Sequence, residues 1–426
     1  MKIMVTGATG FIGKRVVASL ESRGHEVWGL CHKPRFASSY THLVPVDFAQ
    51  STCKEAWLDH LDGMDVVVNC VGIICEQGTQ RFNSLQKNAP IALFSACIQS
   101  GVRKIIQVSA LGADTSASNA FLTSKRDADD FLSNLPIAST IVQPSIVYGP
   151  GECSMALFKS LAALPILPLI NNGNTIVQPI HVDDLANSIA DEASHLDESM
   201  ACERIIAVGP TQYRFAQILV MLRVWMGYPL AFAWNIPTWL SRAMGHIGSL
   251  IPGSLLNSGS VEMLYRDDIS AHPFAAKTIH NARDLNEHLR LNPAQTADRL
   301  AAWRTWLTPL LRLSFAILWI GSAYVSIFAF SHELSFAWLQ KIGIPTSLHS
   351  PTLYLAYALD LMLGGALLLG KNIRIILLLQ IVLMMCYSGI ITVYLPEFWT
   401  HPFAPILKNI PLIAATFSLL ILEDRS

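Results

Sequence analysis

The sequence is poor in charged residues and in clustered metal ligands. Only 14% of its 426 residues are Asp, Glu, Lys or Arg, and the formal net charge is −1. This balance provides no basic surface of the kind that binds nucleic acid, so we predict no nucleic-acid partner. The eight cysteines form no CxxC pair and stand in no cluster with histidines. We therefore predict no metal site, and reduced thiols in a cytosolic environment.

The opening residues "MKIMVTGATG" lack a basic stretch followed by a long apolar run, so we predict no cleavable signal peptide. The chain as a whole is nevertheless apolar. Hydrophobic residues make up 52% of it, and the mean hydropathy is +0.39. These values are too high for an ordinary soluble protein and indicate a membrane-embedded part.

Four nearly uncharged segments in the last third are each close to the length that crosses about 30 Å of hydrocarbon. They are residues 313–330, 353–370, 375–395 and 406–422. We predict a four-helix transmembrane domain over 305–426, in which Gly364 and Gly365 allow close helix contact. Asp360 lies within the second segment, and Lys408 lies near the start of the fourth. Two roles fit these residues: they form a structural ion pair, or they belong to a proton- or quinone-linked site.

The basic residues around these segments predict their orientation. Arg304 and Arg312 precede the first segment, and Lys371 and Arg374 lie between the second and third. The other two loops contain a single lysine between them. By the positive-inside rule we expect a multi-pass inner-membrane protein with its N-terminal domain and its C-terminus in the cytoplasm.

The first half of the chain alternates β-branched runs with helical segments, which is typical of βαβ units and a parallel sheet. The predicted strands are "KIMVTG", "EVWGLC", "DVVVNCVG", "KIIQVSA" and "STIVQPSIVYG", with helices near 13–23 and 89–100. We assign residues 1–208 to this α/β domain.

Between 209 and 304 the alternation fades, and apolar helical pieces containing tryptophans follow. This stretch is either a helical subdomain on the substrate side or, in part, a surface that lies on a membrane.

The stretch "TGATGFIG" places three glycines between the first strand and the first helix. Gly7 suits a sharp turn, Gly10 a close approach of the backbone to a pyrophosphate, and Gly13 the packing of helix on strand. The free amides at the helix N-terminus supply an anion site. This context predicts a Rossmann-type doubly wound fold and a dinucleotide loop. The predicted loop contacts are Gly7, Thr9, Gly10, Phe11, Ile12 and Gly13.

The second strand ends in "WGLCHKPR", which has no carboxylate to bind a ribose 2′-hydroxyl. It offers His32, Lys33 and Arg35 instead, and cations there favour a 2′-phosphate. We therefore predict NADP as the cofactor, with NAD still possible. Further predicted cofactor contacts are Asp47, at the adenine amino group, and the stretch from Asn69 to Gly72, which would line the cofactor with backbone at the tip of the next strand.

Seven motifs in order resemble the extended and atypical short-chain dehydrogenase/reductases. They are "TGATGFIG", "VDF", "VNCVG", "VSALGA", the Lys125 segment, "PSIVYGPG" and "QPIHVDDLA". The residues of "VSALGA" and "QPIHVDDLA" are most similar to those of the branch that contains the 39 kDa accessory subunit of respiratory complex I. This resemblance covers about residues 1–300. The tail from about residue 310 is similar to the DoxX-like four-helix membrane family, chiefly through its apolar composition.

The resemblance implies catalytic roles for two residues, whereas a third catalytic residue of the family is absent from this sequence. Ser109 matches the serine that hydrogen-bonds the substrate oxygen, and Lys125 matches the lysine that binds the nicotinamide ribose. The tyrosine that donates a proton in this family is replaced by Phe121, which has no proton to give. Tyr148 and His181 are alternative proton donors. Structural roles also fit both, with Tyr148 in a loop after a strand and His181 at the start of a helix that Asp183 caps.

Two functions from different classes follow from these observations. One is a membrane-anchored NADP(H)-dependent oxidoreductase that acts on a lipophilic or quinone-like molecule. The other is a non-catalytic NADP(H)-binding subunit, structural or redox-sensing, that docks to a membrane complex. A transporter is disfavoured because the four segments show no inverted repeat.

Overall fold

The computed structural model divides the chain into an N-terminal unit, Met1–Arg299, and a C-terminal unit, Leu300–Ser426. It describes residues 1–32, 42–76, 78–115, 117, 119–151, 154–196, 200–249, 257–267, 282–370, 372–403 and 405–423. The predicted boundary at 208/209 lies inside the N-terminal unit and stays a prediction.

The N-terminal unit is built on a seven-stranded parallel sheet. Its strands are β1 (Lys2–Thr6), β2 (Glu26–Cys31), β3 (His42–Pro45), β4 (Val66–Asn69), β5 (Lys104–Val108), β6 (Ala138–Pro144) and β11 (Cys202–Ala207), in the spatial order β11-β6-β5-β4-β1-β2-β3. Every pairing is parallel. The five predicted strands are confirmed, and β3 and β11 are additional. The order reverses at β1 and opens a crevice beyond the carboxyl ends of β1 and β4, where such sheets bind ligands.

Helices cover both faces of the sheet, because its central strands are apolar on both sides. The helices of the unit are α1 (Gly13–Ser22), α2 (Glu55–Leu61), α3 (Ala89–Gln99), α4 (Ala120–Ser133), α5 (Ser154–Ala163), α6 (Val182–Ser194), α7 (Phe215–Trp225), α8 (Thr238–Ser249), α9 (Ser258–Met263) and α10 (Leu285–Leu291). One core cluster packs α1 and α6 against the sheet, and a second packs α2, α3 and α4 against the other face. The Rossmann-type doubly wound prediction is confirmed.

Three two-stranded ribbons extend this framework. They are β7 (Val147–Tyr148) with β10 (Ile180–His181), β9 (Ile176–Val177) with β12 (Tyr213–Arg214), and β8 (Ile166–Leu169) with β13 (Phe232–Asn235). The first and third pairs are parallel and the second is antiparallel. Tyr148, which the sequence placed in a loop, therefore lies in a short strand.

The C-terminal unit is helical. Its helices are α11 (Thr296–Tyr324, which begins in the N-terminal unit), α12 (His332–Lys341), α13 (His349–Leu369), α14 (Ile373–Tyr394), α15 (Glu397–Thr400) and α16 (Asn409–Leu422). Three described helical segments are long and apolar enough to cross a membrane: Thr296–Ala329, Thr346–Leu369 and Ile373–Tyr394. Their length and apolar composition agree with three of the four predicted spans. The fourth predicted span forms α16, which has 14 residues and a length of about 21 Å at 1.5 Å per residue.

Close packing and one ion pair organise the C-terminal helices. A Cβ on Gly364 would lie 2.6 Å from Ile320 Cγ1, so α11 and α13 pack closely there as predicted. A Cβ on Gly365 would meet no other helix within 4 Å among the described residues. Arg312 bonds both carboxylate oxygens of Glu423, at 2.5 and 2.6 Å. The α13–α14 turn lies at the same end, because a Cβ on Gly370 would be 4.0 Å from Arg312 Nη1. The end of α16 therefore returns to the level at which the apolar part of α11 begins.

Candidate functional site

The glycine loop between β1 and α1 has no space for side chains at two positions. Gly7 has a φ of +66°, and a Cβ there would lie 3.1 Å from the backbone of Cys70. A Cβ on Gly13 would lie 2.2 Å from the carbonyl oxygen of Gly7. Gly10 donates its amide to the Gly7 carbonyl at 2.9 Å and closes the turn. The backbone thus follows a path that only glycine permits, as the sequence predicts for a dinucleotide loop.

The N-terminus of α1 is open to an anion. Its N-cap residue, Ile12, provides no side-chain hydrogen bond, so the first amides of the helix have no side-chain cap. Thr9 and Gly10 are exposed, and Phe11 and Ile12 are partly exposed. Lys14 adds a cation to the first turn of α1, and its Nζ lies 3.4 Å from where a Cβ on Gly151 would be. The helix dipole and the ammonium group of Lys14 together suit a pyrophosphate.

The residues predicted to select the nucleotide are only partly described. Lys33 and Arg35 lie outside the described residues. His32 follows β2, with Nδ1 3.8 Å from Asp47 Oδ1. Asp47 accepts hydrogen bonds from the Ala49 amide at 3.1 Å and the Gln50 side chain at 2.9 Å, so its carboxylate also holds its own turn. The adenine contact of Asp47 and the 2′-phosphate contact of the cations stay predictions.

Asn69 holds the carboxyl ends of three strands together. Its Oδ1 accepts from Thr6 Oγ1 at 2.5 Å, and its Nδ2 donates to Gln107 Oε1 at 2.6 Å. The side chain is buried and bonded within the sheet, so its backbone and the following residues are what the crevice presents. This agrees with the prediction that this stretch lines the cofactor with backbone, although the contact itself is untested.

Lys125 reaches the same crevice from α4. Its Nζ donates to the Val108 carbonyl at 3.0 Å and would lie 3.4 Å from a Cβ on Gly72. The side chain is 5% exposed. Burial lowers the pKa of Lys125, and the negative charge of Asp129 opposes that shift. Two predicted site residues, Lys125 and Gly72, are therefore brought together at the end of β4.

Asp129 is a member of this site that the sequence analysis missed. It lies one helical turn after Lys125, is fully buried, and accepts a hydrogen bond from Ser109 Oγ. Its second oxygen, Oδ1, has no hydrogen-bond partner among the described residues. Burial raises the pKa of Asp129 to about 6, although the Ser109 hydrogen bond and the Lys125 charge pull it down. The sequence did contain a signal for this contact, because Lys125 and Asp129 stand four residues apart and so lie on the same side of a helix.

The hydrogen bond to Asp129 determines where the Ser109 hydroxyl points. The Ser109 hydroxyl is 4% exposed and is directed to Asp129. Its predicted hydrogen bond to a substrate oxygen would compete with that contact, and it stays a prediction.

We expect Asp129→Asn to remove a pH dependence of stability. A carboxyl group whose folded pKa is raised stabilises the protein below its ordinary pKa of 3.8, and this contribution is lost as pH rises through about 6. A shift of about two units corresponds to about 3 kcal/mol. Melting temperatures of the solubilised parent should therefore fall between about pH 4 and 6.5, and those of the variant should not.

The matched control is Asp130→Asn, since Asp130 is the adjacent carboxylate and is exposed. It should retain the parental pH dependence. An equally steep pH dependence in Asp129→Asn would assign the titration to another group.

Phe121 occupies the first turn of α4, which Asn119 caps by accepting the Leu122 amide at 2.8 Å. Its ring is partly buried and meets the ring of Phe82 edge-on, with centroids 6.0 Å apart. The position that would carry a tyrosine hydroxyl is thus part of an aromatic pair. It offers no proton donor.

The two alternative donors are engaged elsewhere. Tyr148 Oη donates to the Arg283 carbonyl at 2.9 Å, and burial raises the pKa of Tyr148 well above its ordinary value. His181 is itself the N-cap of α6, since its Nδ1 accepts from the Asp183 amide at 3.2 Å. This corrects the expectation that Asp183 is the cap. Burial and the Arg283 charge lower the pKa of His181 to about 4, so it is neutral at physiological pH and unsuited to act as a charged acid.

In the C-terminal unit, Asp360 and Lys408 form no ion pair with each other among the described residues. Lys408 lies 6.0 Å from the ring centroid of Phe403. Asp360 is 8% exposed, and its Oδ1 has no hydrogen-bond partner among the described residues. The structural ion pair considered for these two residues is therefore wrong. The proton- or quinone-linked alternative stays untested.

Comparison with protein families identifies two matches. Residues 7–154 match the family described as NAD(P)H-binding, and residues 316–417 match the DoxX-like family. The first range contains the glycine loop, the crevice and Lys125. The second contains most of the apolar helices of the C-terminal unit.

Curated relatives are similar to the N-terminal part. A ceramide reductase of Caulobacter vibrioides is 28% identical over 190 residues, which cover 43% of this chain and 58% of the relative. NADH dehydrogenase [ubiquinone] 1 alpha subcomplex subunit 9 is 28% identical over 254 residues in Arabidopsis thaliana and 24% over 255 in Mus musculus, covering 62% and 66% of those proteins. The chain thus spans less than two thirds of the length of these relatives.

Solved structures agree with the fold. MoeE5 in complex with UDP-glucuronic acid and NAD aligns with a TM-score of 0.52 and 15% identity, over 68% of this chain and 97% of MoeE5. A UDP-glucose 4-epimerase of Thermus thermophilus in complex with NAD aligns with a TM-score of 0.50 and 17% identity, over 68% and 97%. At these identities the likeness concerns the fold alone. The chain joins an NAD(P)H-binding domain at its N-terminal end to a membrane-associated DoxX-like domain at its C-terminal end.

Proposed function

We propose that the chain is a membrane-anchored, NADP(H)-dependent oxidoreductase that reduces the carbonyl group of a lipophilic molecule. The observation that carries this proposal is Lys125, buried beside Gly72 at the dinucleotide crevice of a chain that continues into three helices of spanning length. A substrate dissolved in lipid would explain why a cofactor-binding domain and apolar helices are joined in one chain. The similarity to a ceramide reductase supports a lipid carbonyl as the acceptor.

The reaction would move a hydride from the nicotinamide to the carbonyl carbon, while a proton reaches the carbonyl oxygen. Phe121 has no proton to supply, and Tyr148 and His181 are engaged in other contacts, so we propose water as the proton source. General-acid help is worth about 10²–10⁴-fold, so a modest turnover is expected. Lys125 would bind and orient the nicotinamide ribose.

The test uses the full chain in lipid nanodiscs with NADPH deuterated at the transferable position. Ceramide precursors, long-chain ketones and quinones serve as acceptors. Deuterium on the product carbon supports the proposal. Tight NADPH binding without transfer to any acceptor would instead support the second function, a non-catalytic subunit of a membrane complex. Phe121 and the engagement of Ser109 with Asp129 favour that alternative, as does the similarity to a complex I subunit.

We expect the protein to bind NADPH more tightly than NADH, because His32, Lys33 and Arg35 stand where a carboxylate would select NAD. Replacing Lys33 and Arg35 together by Ala should weaken NADPH binding by about 1–3 kcal/mol and leave NADH binding nearly unchanged. Calorimetry measures both affinities. The control removes two exposed cations elsewhere in the unit, Lys54 and Arg103. Equal affinities of the parent for the two cofactors would refute the preference.

We also propose that the protein spans the inner membrane with both ends cytoplasmic. The basic residues Arg304, Arg312 and Arg374 support this orientation. The Arg312–Glu423 contact supports a fourth crossing by α16, because it requires the chain to return to the starting end of the bundle. A reporter fused after Ser426 that reads periplasmic would overturn the topology.

A further inference from the structure

The N-terminal unit carries an exposed apolar surface outside the crevice. Five residues form it, which we call the aromatic face: Ile166, Leu230, Phe232, Trp234 and Trp239. Their exposed fractions are 48, 76, 75, 49 and 71%. Large aromatic side chains exposed together are unusual on a soluble surface and mark a contact with a partner or a membrane. The catalytic proposal makes no use of them.

The β8–β13 ribbon fixes three of these side chains on one side. Ile166 pairs with Phe232 in register, and Trp234 follows Phe232 by two residues. Side chains two apart in a strand project from the same side. Leu167 and Leu169, which alternate with Ile166, are 3 and 8% exposed and face the body of the unit. The ribbon is therefore anchored through Leu167 and Leu169 of β8, whereas all four residues of β13 are exposed, Phe232 and Trp234 among them.

Helix α8 continues this surface. The Ile236 amide still donates to the Leu169 carbonyl at 2.9 Å, and α8 begins two residues later. Its inner side is held against α9, because a Cβ on Gly245 would lie 3.1 Å from Ser258 Cα. Trp239, Arg242 and His246 are exposed at i, i+3 and i+7 spacing, which places them on one side of the helix. The aromatic face thus has a cation beside it.

The surrounding sequence contains no negative charge. From Arg204 to Val261 there is no Asp or Glu. Of the four arginines in this stretch, Arg242 is exposed beside the aromatic face, whereas Arg223 is buried and Arg204 lies 3.1 Å from Asp130. A surface with Trp, Phe and Arg and without carboxylates suits the headgroup region of an anionic bilayer. The same stretch of a second copy would offer the same cation, Arg242, and no carboxylate to pair with it. A bilayer is also within reach, because the chain continues from residue 296 into a helix of spanning length.

We infer that the aromatic face inserts into the headgroup region of an anionic phospholipid bilayer. Trp and Phe occupy the boundary between headgroups and acyl chains, and Arg242 contacts lipid phosphate. The N-terminal unit thus has its own lipid contact, besides the covalent link to the spanning helices. The inference does not depend on whether the chain is an oxidoreductase.

The test places the photoreactive residue p-benzoylphenylalanine at single positions of the full chain, in nanodiscs that contain phosphatidylglycerol. Trp239 and Phe232 are the test positions. The matched control is Leu291, an apolar residue on α10 that is 74% exposed and lies outside the aromatic face. After irradiation, mass spectrometry should find phospholipid adducts at the test positions at about tenfold the yield at the control position, as expected for residues held at the interface.

Three results would overturn the inference. One is crosslinking of the test positions mainly to peptides of the same chain. Another is crosslinking to a second copy, and the third is a lipid yield equal to that of the control. NADPH binding by each substituted protein is measured in parallel, so that a misfolded sample is recognised and replaced by the neighbouring test position Trp234.

Discussion

Gly13→Ala is expected to raise the dissociation constant for NADPH by at least about 100-fold, which corresponds to about 2.7 kcal/mol. The new methyl carbon would lie 2.2 Å from the Gly7 oxygen, 2.9 Å from the Gly7 carbonyl carbon and 3.2 Å from Ala8 Cα. All three are backbone atoms, so no side chain can rotate away. Either the loop moves or α1 is displaced, and both displace the amides that would hold the pyrophosphate.

The matched control is Ala18→Gly on the exposed side of the same helix. It exchanges the same two residue types in the opposite direction and meets no steric limit. We expect it to cost about 0.5–1 kcal/mol of stability through helix propensity, with an unchanged dissociation constant. Fluorescence titration of both variants checks the pair. Parental affinity in Gly13→Ala would show that the cofactor does not use this loop.

The sheet could be predicted because its signals are local. Five strands appear as β-branched runs, and the glycine loop specifies where the first strand meets the first helix. The strands β3 and β11 were missed for a physical reason. β3 is a short edge strand of four residues, and β11, at the opposite edge, carries the charged pair Glu203 and Arg204 in its first half. Edge strands bury less surface, so their sequences carry less of the apolar signal.

The candidate site, like the sheet, could be predicted from the sequence only in part. The positions of Lys125, Gly72 and the glycine loop follow from motifs, whereas the role of a side chain depends on contacts distant in sequence. Ser109 meets Asp129 across 20 residues, and Asn69 meets Gln107 across 38. Such contacts have no periodicity, so the sequence could name these residues without giving their partners. The length of α16 likewise depends on where the chain turns, which composition does not specify.

Lys125→Met is expected to weaken both cofactor binding and folding, for two separable reasons. It removes the ammonium group beside Gly72, and with it the predicted contact to the nicotinamide ribose. It also removes the hydrogen bond to the Val108 carbonyl and the positive charge that lowers the pKa of Asp129. We expect a loss of about 2–4 kcal/mol of stability at neutral pH, because a buried carboxyl group loses its compensating charge. The dissociation constant for NADPH should rise at least about tenfold.

A double-mutant cycle with Asp129→Asn separates the two effects. In the double variant, Lys125→Met with Asp129→Asn, no buried carboxylate is left to be neutralised, so stability should recover by about 1–2 kcal/mol relative to Lys125→Met. Cofactor binding should not recover, because the side-chain amide introduced at position 129 cannot replace an ammonium group at the ribose. Chemical denaturation gives the stabilities, and calorimetry gives the dissociation constants. If NADPH affinity returned in the double variant, Lys125 would be acting through Asp129 rather than on the cofactor. The lysine would then be a structural partner of a buried acid, and the case for an active reductase would lose its central residue.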